Sequence, residues 1–302
     1  MSQLEKNLSP EKARKAAKEH KAKNRRVFIK TPFSRKLVLV SSIILVLIIL
    51  AAILAPVISP YNPNAIAVKE RNQSPSAAHL LGTDEYGRDV LSRIIYGSQV
   101  SLIVGVLAVA IACVIGTTLG MIAGFFGGFV DDVISRIAEA IRVIPQVVLA
   151  IALCAVFGGG IVNMAIILGI SNMTVYIRMM RSQVMSIKER DYIMAGRLQG
   201  NSNWRLMLRH ILPNSVSPII VTMTQQIGGT ILSEAGLSFL GLGISVPTAS
   251  WGSLVSGGRA YLLSNPVYSL APGFAIALLV VCLNTVGDGV RDALDPRLRG
   301  EV

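Results

Sequence analysis

Five stretches of this chain contain no Asp, Glu, Lys or Arg: Leu37 to Ile58, Ser98 to Val130, Val143 to Ile177, Ile211 to Ser233 and Ala260 to Gly287. A helix that crosses a bilayer needs about 20 such residues. The third stretch is too long for one crossing and holds Gly158-Gly159-Gly160 near its middle. Three glycines in a row make a poor helix interior and a good turn, so two crossings are expected there. The pattern therefore predicts an all-α integral membrane protein of six transmembrane helices, at about 37–58, 98–124, 133–157, 161–181, 211–235 and 269–290.

Between these helices the polar segments have characters of their own. Residues 1–36 form a basic tail whose apolar positions are nearly all alanine, suited to solvent and anionic lipid headgroups. The first apolar run follows that tail and is longer than the roughly 7–15 residues of a cleaved signal, so it reads as a retained anchor. Residues 37–97 comprise this anchor, a proline-marked external loop from Ser59 to His79, and a short helix around Val90–Ile95 expected to lie along the membrane surface. Residues 98–291 form the transmembrane core, interrupted by a polar loop at about 182–210, and 292–302 form a C-terminal tail. Gly116, Gly120 and Gly124 recur every four residues. Such spacing lets helices approach closely in lipid, within the bundle or at a subunit contact.

Composition agrees with a membrane solvent: 52% of the 302 residues are hydrophobic and only 15% are charged, against about 25% in soluble domains. The net charge of +12 at first suggests a nucleic-acid partner. Its distribution argues otherwise. With six crossings both termini share one side, and placing them in the cytoplasm puts 24 of the 29 Lys and Arg residues inside. Only Lys69, Arg71, Arg88, Arg93 and Arg259 remain outside, as the positive-inside rule requires. Cys113, Cys154 and Cys282 have no metal or disulfide spacing and read as packing residues.

Candidate chemistry is sparse. Glu234 is the one acid inside an apolar run, near its outer end, and a structural role suits it. No Gly-Lys pair occurs, so a phosphate-binding loop is missing, and neither a zinc-protease motif nor a serine-hydrolase elbow is present. An ion-coupled transporter would carry inverted repeats and ionisable groups within the bundle; the sequence shows neither. Uphill transport by this chain requires energy from another subunit.

The polar loop is divided by Gly200. Before it, Ile187, Tyr192, Ile193, Ala195 and Leu198 offer an apolar side; after it, Trp204, Leu206, Met207 and Ile211 do the same. Two short helices joined at a glycine turn are expected, with Ala195 or Gly196 exposed for close approach by a partner. This segment resembles the EAA loop of ABC-importer permeases, whose pattern is Glu-Ala-Ala, three residues, Gly, nine residues, Ile, one residue, Leu-Pro. Ala195, Gly200 and Leu212-Pro213 match, while Met194, Gly196 and His210 replace the Glu, the second Ala and the Ile. Three further segments, "HLLGTDEYGRDVLSRIIYGSQVSL", "EAGLSFLGLG" with "ASWGSLVSGGRAYL", and "NTVGDGVRDALDPRLRG", resemble the second permease subunit of dipeptide, oligopeptide and nickel ABC importers.

That resemblance implies the type I ABC-importer permease fold in a bacterial or archaeal plasma membrane. It implies a heterodimer with a homologous permease, two ATPase subunits that bind the ATP and magnesium, and an external substrate-binding protein. No cofactor is expected in this chain and no catalysis by it. Peptides are the expected substrate, with nickel, a metal chelate or a glycoside as alternatives. The coupling loop would comprise Met194, Ala195, Gly196, Leu198, Gly200, Asn201, Leu212 and Pro213.

Overall fold

The computed structural model describes residues 36–244 and 247–294. The basic tail and most of the C-terminal segment read from the sequence lie outside the described residues. Within them the chain is helical, with no strand beyond one isolated bridge between Thr83 and Asp89. The principal helices are α1 (Lys36–Ile53), α2 (Val90–Phe126), α3 (Gly128–Val143), α4 (Gln146–Phe157), α5 (Ile161–Lys188), α6 (Asp191–Leu198), α7 (Val216–Phe239), α8 (Trp251–Gly258) and α9 (Pro266–Leu294).

Four of these, α1, α2, α5 and α9, are long and apolar enough to cross a membrane, and a fifth crossing results if α3 and α4 count as one. Two of the six expected spans therefore differ from the pattern. The span expected at 133–157 is broken, because α3 and α4 meet at 93°. Pro145 explains the break: the ring crowds the residue before it out of the helical region, and Ile144 is extended at φ −77°, ψ 123°. Helix α7 has 24 residues but carries Thr222, Thr224, Gln225, Gln226, Thr230, Ser233 and Glu234, and falls short of the other four in apolarity.

Helices α2 and α5 form the centre. At Gly116 a Cβ would stand 2.5 Å from the Met173 carbonyl oxygen, and at Gly124 2.9 Å from that of Arg181. The four-residue glycine stripe is thus a helix contact inside the bundle. Val104, Ala108, Met164, Ile167 and Leu168 bury one layer of this contact with Ala150 and Cys154 of α4. Helix α7 joins α2 and α9 around Ile231, Trp251, Leu279 and Leu283. Helix α1 buries only Val38, Ser41 and Ala52, and is tied to α2 where Gln99 Nε2 donates to the Ala52 carbonyl at 2.6 Å. All three cysteines are free and buried, as packing residues should be.

The loop expected outside is more ordered than its prolines suggested. The Asp84 carboxylate accepts the Tyr86 and Arg88 amides at 2.8 and 2.9 Å and the Arg88 guanidinium at 2.6 Å. Asp89 caps α2, accepting from the Ser92 amide at 2.7 Å, while its other oxygen meets His79 Nδ1 at 2.9 Å. Asn265 donates to the Gln73 carbonyl, and the Tyr268 hydroxyl donates to Glu85. These partners hold Val90, Ser92 and Arg93 in the interior. The expected surface-lying helix is therefore the buried first turns of α2, without a break. The segments assigned to the outside by charge gather at this end, and Lys188, Arg181 and Asp131 gather at the other.

Glu234 is fully buried and reaches a neighbouring helix rather than water. Ser238 Oγ donates to it at 2.7 Å and Ser101 Oγ of α2 at 3.5 Å. Ser101 also accepts the Trp251 amide at 3.4 Å, so this cluster links α7 and α2 to the start of α8.

Candidate functional site

Helix α5 outlasts its expected end by a full seven residues, to Lys188, and delivers the chain into α6. Helix α6 ends in a glycine-terminated cap. The Asn201 amide donates to the Gly196 carbonyl at 3.1 Å and the Gly200 amide to the Arg197 carbonyl at 3.0 Å. This pair of bonds needs a left-handed residue between, and Gly200 supplies it at φ +78°. Nothing lies within 4 Å of where a Gly200 Cβ would be, so conformation alone demands glycine there. Ser202 then caps the next turn, accepting the Arg205 amide at 3.3 Å. Asn203–Leu206 passes through a π-helical turn, Met207–Ile211, into Leu212–Asn214. The widened turn lies just before Pro213, which has no amide to donate.

The two arms fold against each other and against the bundle. Ile193, Leu206, Met207 and Ile211 are completely buried with Met121, Phe125, Met180, Val184 and Ile187. Gly196 faces inward: a Cβ there would stand 2.9 Å from Leu206 Cδ2. Of the two small residues expected outside, Ala195 is exposed and Gly196 is not. Tyr192, Leu198 and Trp204, read from the sequence as part of the apolar sides of the two arms, also point outward. Helical geometry decides this, because only one face of each short arm can meet the cluster, and Ile193 with Gly196 and Leu206 with Met207 occupy it.

The eight residues matched by sequence thus divide. Met194, Ala195, Leu198 and Pro213 look outward, Gly196 and Gly200 shape the hairpin, and Asn201 and Leu212 are half-buried. Asn201 accepts from Arg205 Nη1 at 3.3 Å, and Leu212 packs on the buried cluster. The pattern did not single out Tyr192, Trp204 and Leu208 as an outer surface. Leu198 is 90% exposed, Trp204 55%, Leu208 54% and Met194 50%. These are large apolar side chains to leave exposed on a short polar hairpin. Beside it a cleft of about 300 Å³ is lined by Phe125, Lys188, Glu189, Met194 and Arg197, with the Arg197 guanidinium 5.2 Å from the Phe125 ring centre.

A helical bundle of this kind, with its folded hairpin between α5 and α7, has a counterpart among solved structures. Inward-facing structures of the MetNI methionine ABC transporter contain a chain with the same fold, at a TM-score of 0.55. The match covers 68% of this chain and 97% of that one, at 17% identity. Residues 116–300 match the family of binding-protein-dependent transport system inner membrane components. Residues 27–75 match the N-terminal transmembrane domain of oligopeptide transport permease C. The chain belongs to this family of binding-protein-dependent permeases: it is a non-catalytic inner-membrane subunit that works with ATPase and substrate-binding partners.

Named relatives agree. The chain is 44% identical over 264 residues to the dipeptide transport system permease protein DppC of Alkalihalophilus pseudofirmus, covering 87% of each. It is 42% identical to the probable D,D-dipeptide transport system permease protein DdpC of Escherichia coli, over 88% of this chain and 89% of that one. It is 41% identical to a glutathione transport system permease protein, GsiD, of Escherichia coli, over 86% of each.

Proposed function

We propose that this chain forms half of the transmembrane pathway of a peptide importer, paired with a homologous permease in a heterodimer. It crosses the membrane six times, the bent α3–α4 segment and α7 each serving as one crossing, with both termini in the cytoplasm. The 24-to-5 split of basic residues supports this orientation. The hairpin from Asp191 to Asn214 docks in a cleft of an ATPase subunit, and Leu198, Met194 and Trp204 supply the contact. ATP and magnesium are held by the ATPase subunits.

The carrying observation is the hairpin itself, buried on one side and apolar on the other. Closure of the two ATPase subunits displaces the hairpin as a unit, because its inner face is locked to α2 and α5. That displacement reorients α5 and α7, the helices on either side of it. Peptide is the substrate favoured by relatives at 40–44% identity that are named for peptide or dipeptide transport. Uptake of a radiolabelled dipeptide and of radioactive nickel, each measured in cells with and without this chain, tests the reading. Loss of dipeptide uptake alone is expected; loss of nickel uptake alone would overturn the substrate.

A further inference from the structure

Three polar side chains, two buried in the bundle and one exposed at its edge, are joined by hydrogen bonds apart from the coupling hairpin. Gln146 Nε2 donates to Asn172 Oδ1 at 3.1 Å, and Asn172 Nδ2 donates to Thr230 Oγ1 at 3.1 Å. The Thr230 hydroxyl donates onward to the Gln226 carbonyl at 2.7 Å. Asn172 is 7% exposed and Thr230 1%. The bonds run in a consistent direction, donor to acceptor, from Gln146 through Asn172 and Thr230 to the Gln226 carbonyl.

The placement of the three residues is what gives the chain of bonds a role. Asn172 is on α5 and Thr230 on α7, the two helices that enter and leave the coupling hairpin. Gln146 is the first residue of α4, directly after the elbow at Ile144–Pro145. Helix α4 then runs to the glycine turn, where a Cβ on Gly159 would stand 2.3 Å from the Gly243 carbonyl oxygen. The other half of the bent segment, α3, is held separately: Arg181 Nε and Nη2 reach the Asp131 carboxylate at 2.5 and 2.6 Å. Just past the elbow, α4 is thus fastened by a hydrogen bond to α5, which is in turn hydrogen-bonded to α7, and these are the two helices that flank the hairpin.

We propose that Gln146, Asn172 and Thr230 form a strut that makes α4 follow α5 and α7. The strut carries displacement of the hairpin to the Gly159–Gly243 contact at the opposite end of the bundle. The three are positioning residues, and the proposal rests on the coupling role assigned to the hairpin. Apolar packing also holds α4 to α5 through Ala150 and Cys154, and the hydrogen bond adds a directional tie between the same two helices.

The test uses the complete transporter, reconstituted in proteoliposomes with its ATPase and binding-protein partners, and follows a radiolabelled dipeptide of alanine. The readout is peptide transported per ATP hydrolysed. Thr230→Val and Gln146→Leu should each lower this ratio about threefold or more, the scale set by interhelical hydrogen bonds in lipid. Thr230→Ser, which keeps the hydroxyl, should stay near the parent. The double variant should fare no worse than either single one, because one chain of bonds is broken in each case. Gln146 is exposed, so Gln146→Leu carries the test even where Thr230→Val fails to assemble. An unchanged ratio in Gln146→Leu, or an equal loss in Thr230→Ser, overturns the strut. Gly200→Val measured alongside separates the two readings. Normal coupling in that variant removes the hairpin's role, whereas an impaired Gly200→Val beside an unaltered Gln146→Leu removes the strut alone.

Discussion

Gly120 lies directly against Ile177: a Cβ on the glycine would stand 2.3 Å from the Ile177 carbonyl oxygen and 3.0 Å from its Cα. Those atoms are backbone and cannot turn aside. Gly120→Ala should therefore push α2 and α5 apart and cost about 1–3 kcal/mol, as overpacking does elsewhere. Gly229→Ala is the matched control, since nothing lies within 4 Å of a Cβ there. Thermal unfolding of the detergent-purified complex should show a lowered midpoint for the first and little change for the second. Equal midpoints would mean the helices are not in this contact.

At Gly200 the demand is conformational. Its φ of +78° strains a β-branched residue by about 1–2 kcal/mol, while asparagine adopts it more readily. Proline adds a second fault by removing the amide that donates to the Arg197 carbonyl. Gly200→Val and Gly200→Pro should abolish peptide uptake with the permease still present in the membrane, and Gly200→Asn should retain most of it. Uptake and membrane abundance, measured on the same cells, decide the matter.

The outer face of the hairpin should behave as a docking surface. Leu198→Glu places a charge on a side chain that is 90% exposed, so folding of the permease should be unaffected. Association with the ATPase subunits should weaken about tenfold or more, the scale of a buried anchor residue at an interface. Trp204→Ala should act in the same direction. Co-purification through a tag on the ATPase subunit measures both, and undiminished recovery of Leu198→Glu would place the docking surface elsewhere.

Orientation can be read chemically. The native cysteines are buried, so background labelling should be low. Ser74→Cys sits in the loop expected outside and Gln199→Cys on the hairpin, both at exposed positions. A membrane-impermeant maleimide applied to intact cells should label the first and spare the second. The reverse pattern would invert the topology.

Much of this protein is legible in the sequence because its physics is local. Uncharged runs longer than a bilayer report membrane helices, and Gly200 with Leu212-Pro213 marks a hairpin whose cap needs a left-handed residue. The break of α3 from α4 was also within reach, since Pro145 restricts Ile144 whatever surrounds them. Other features required the assembled bundle. Periodicity shows that Ile193 and Leu198 are both apolar, but only the position of Phe125 and Val184 decides which is buried. The prolines and polar residues from Ser59 to His79 read as an external loop, yet Asn265 and Tyr268, nearly 200 residues away, bond to Gln73 and Glu85 and make a folded clasp of it and the residues that follow. Gln146, Asn172 and Thr230 carry no shared spacing at all. They meet because three helices cross at one point, and hydrogen bonds made across that much sequence leave no local trace.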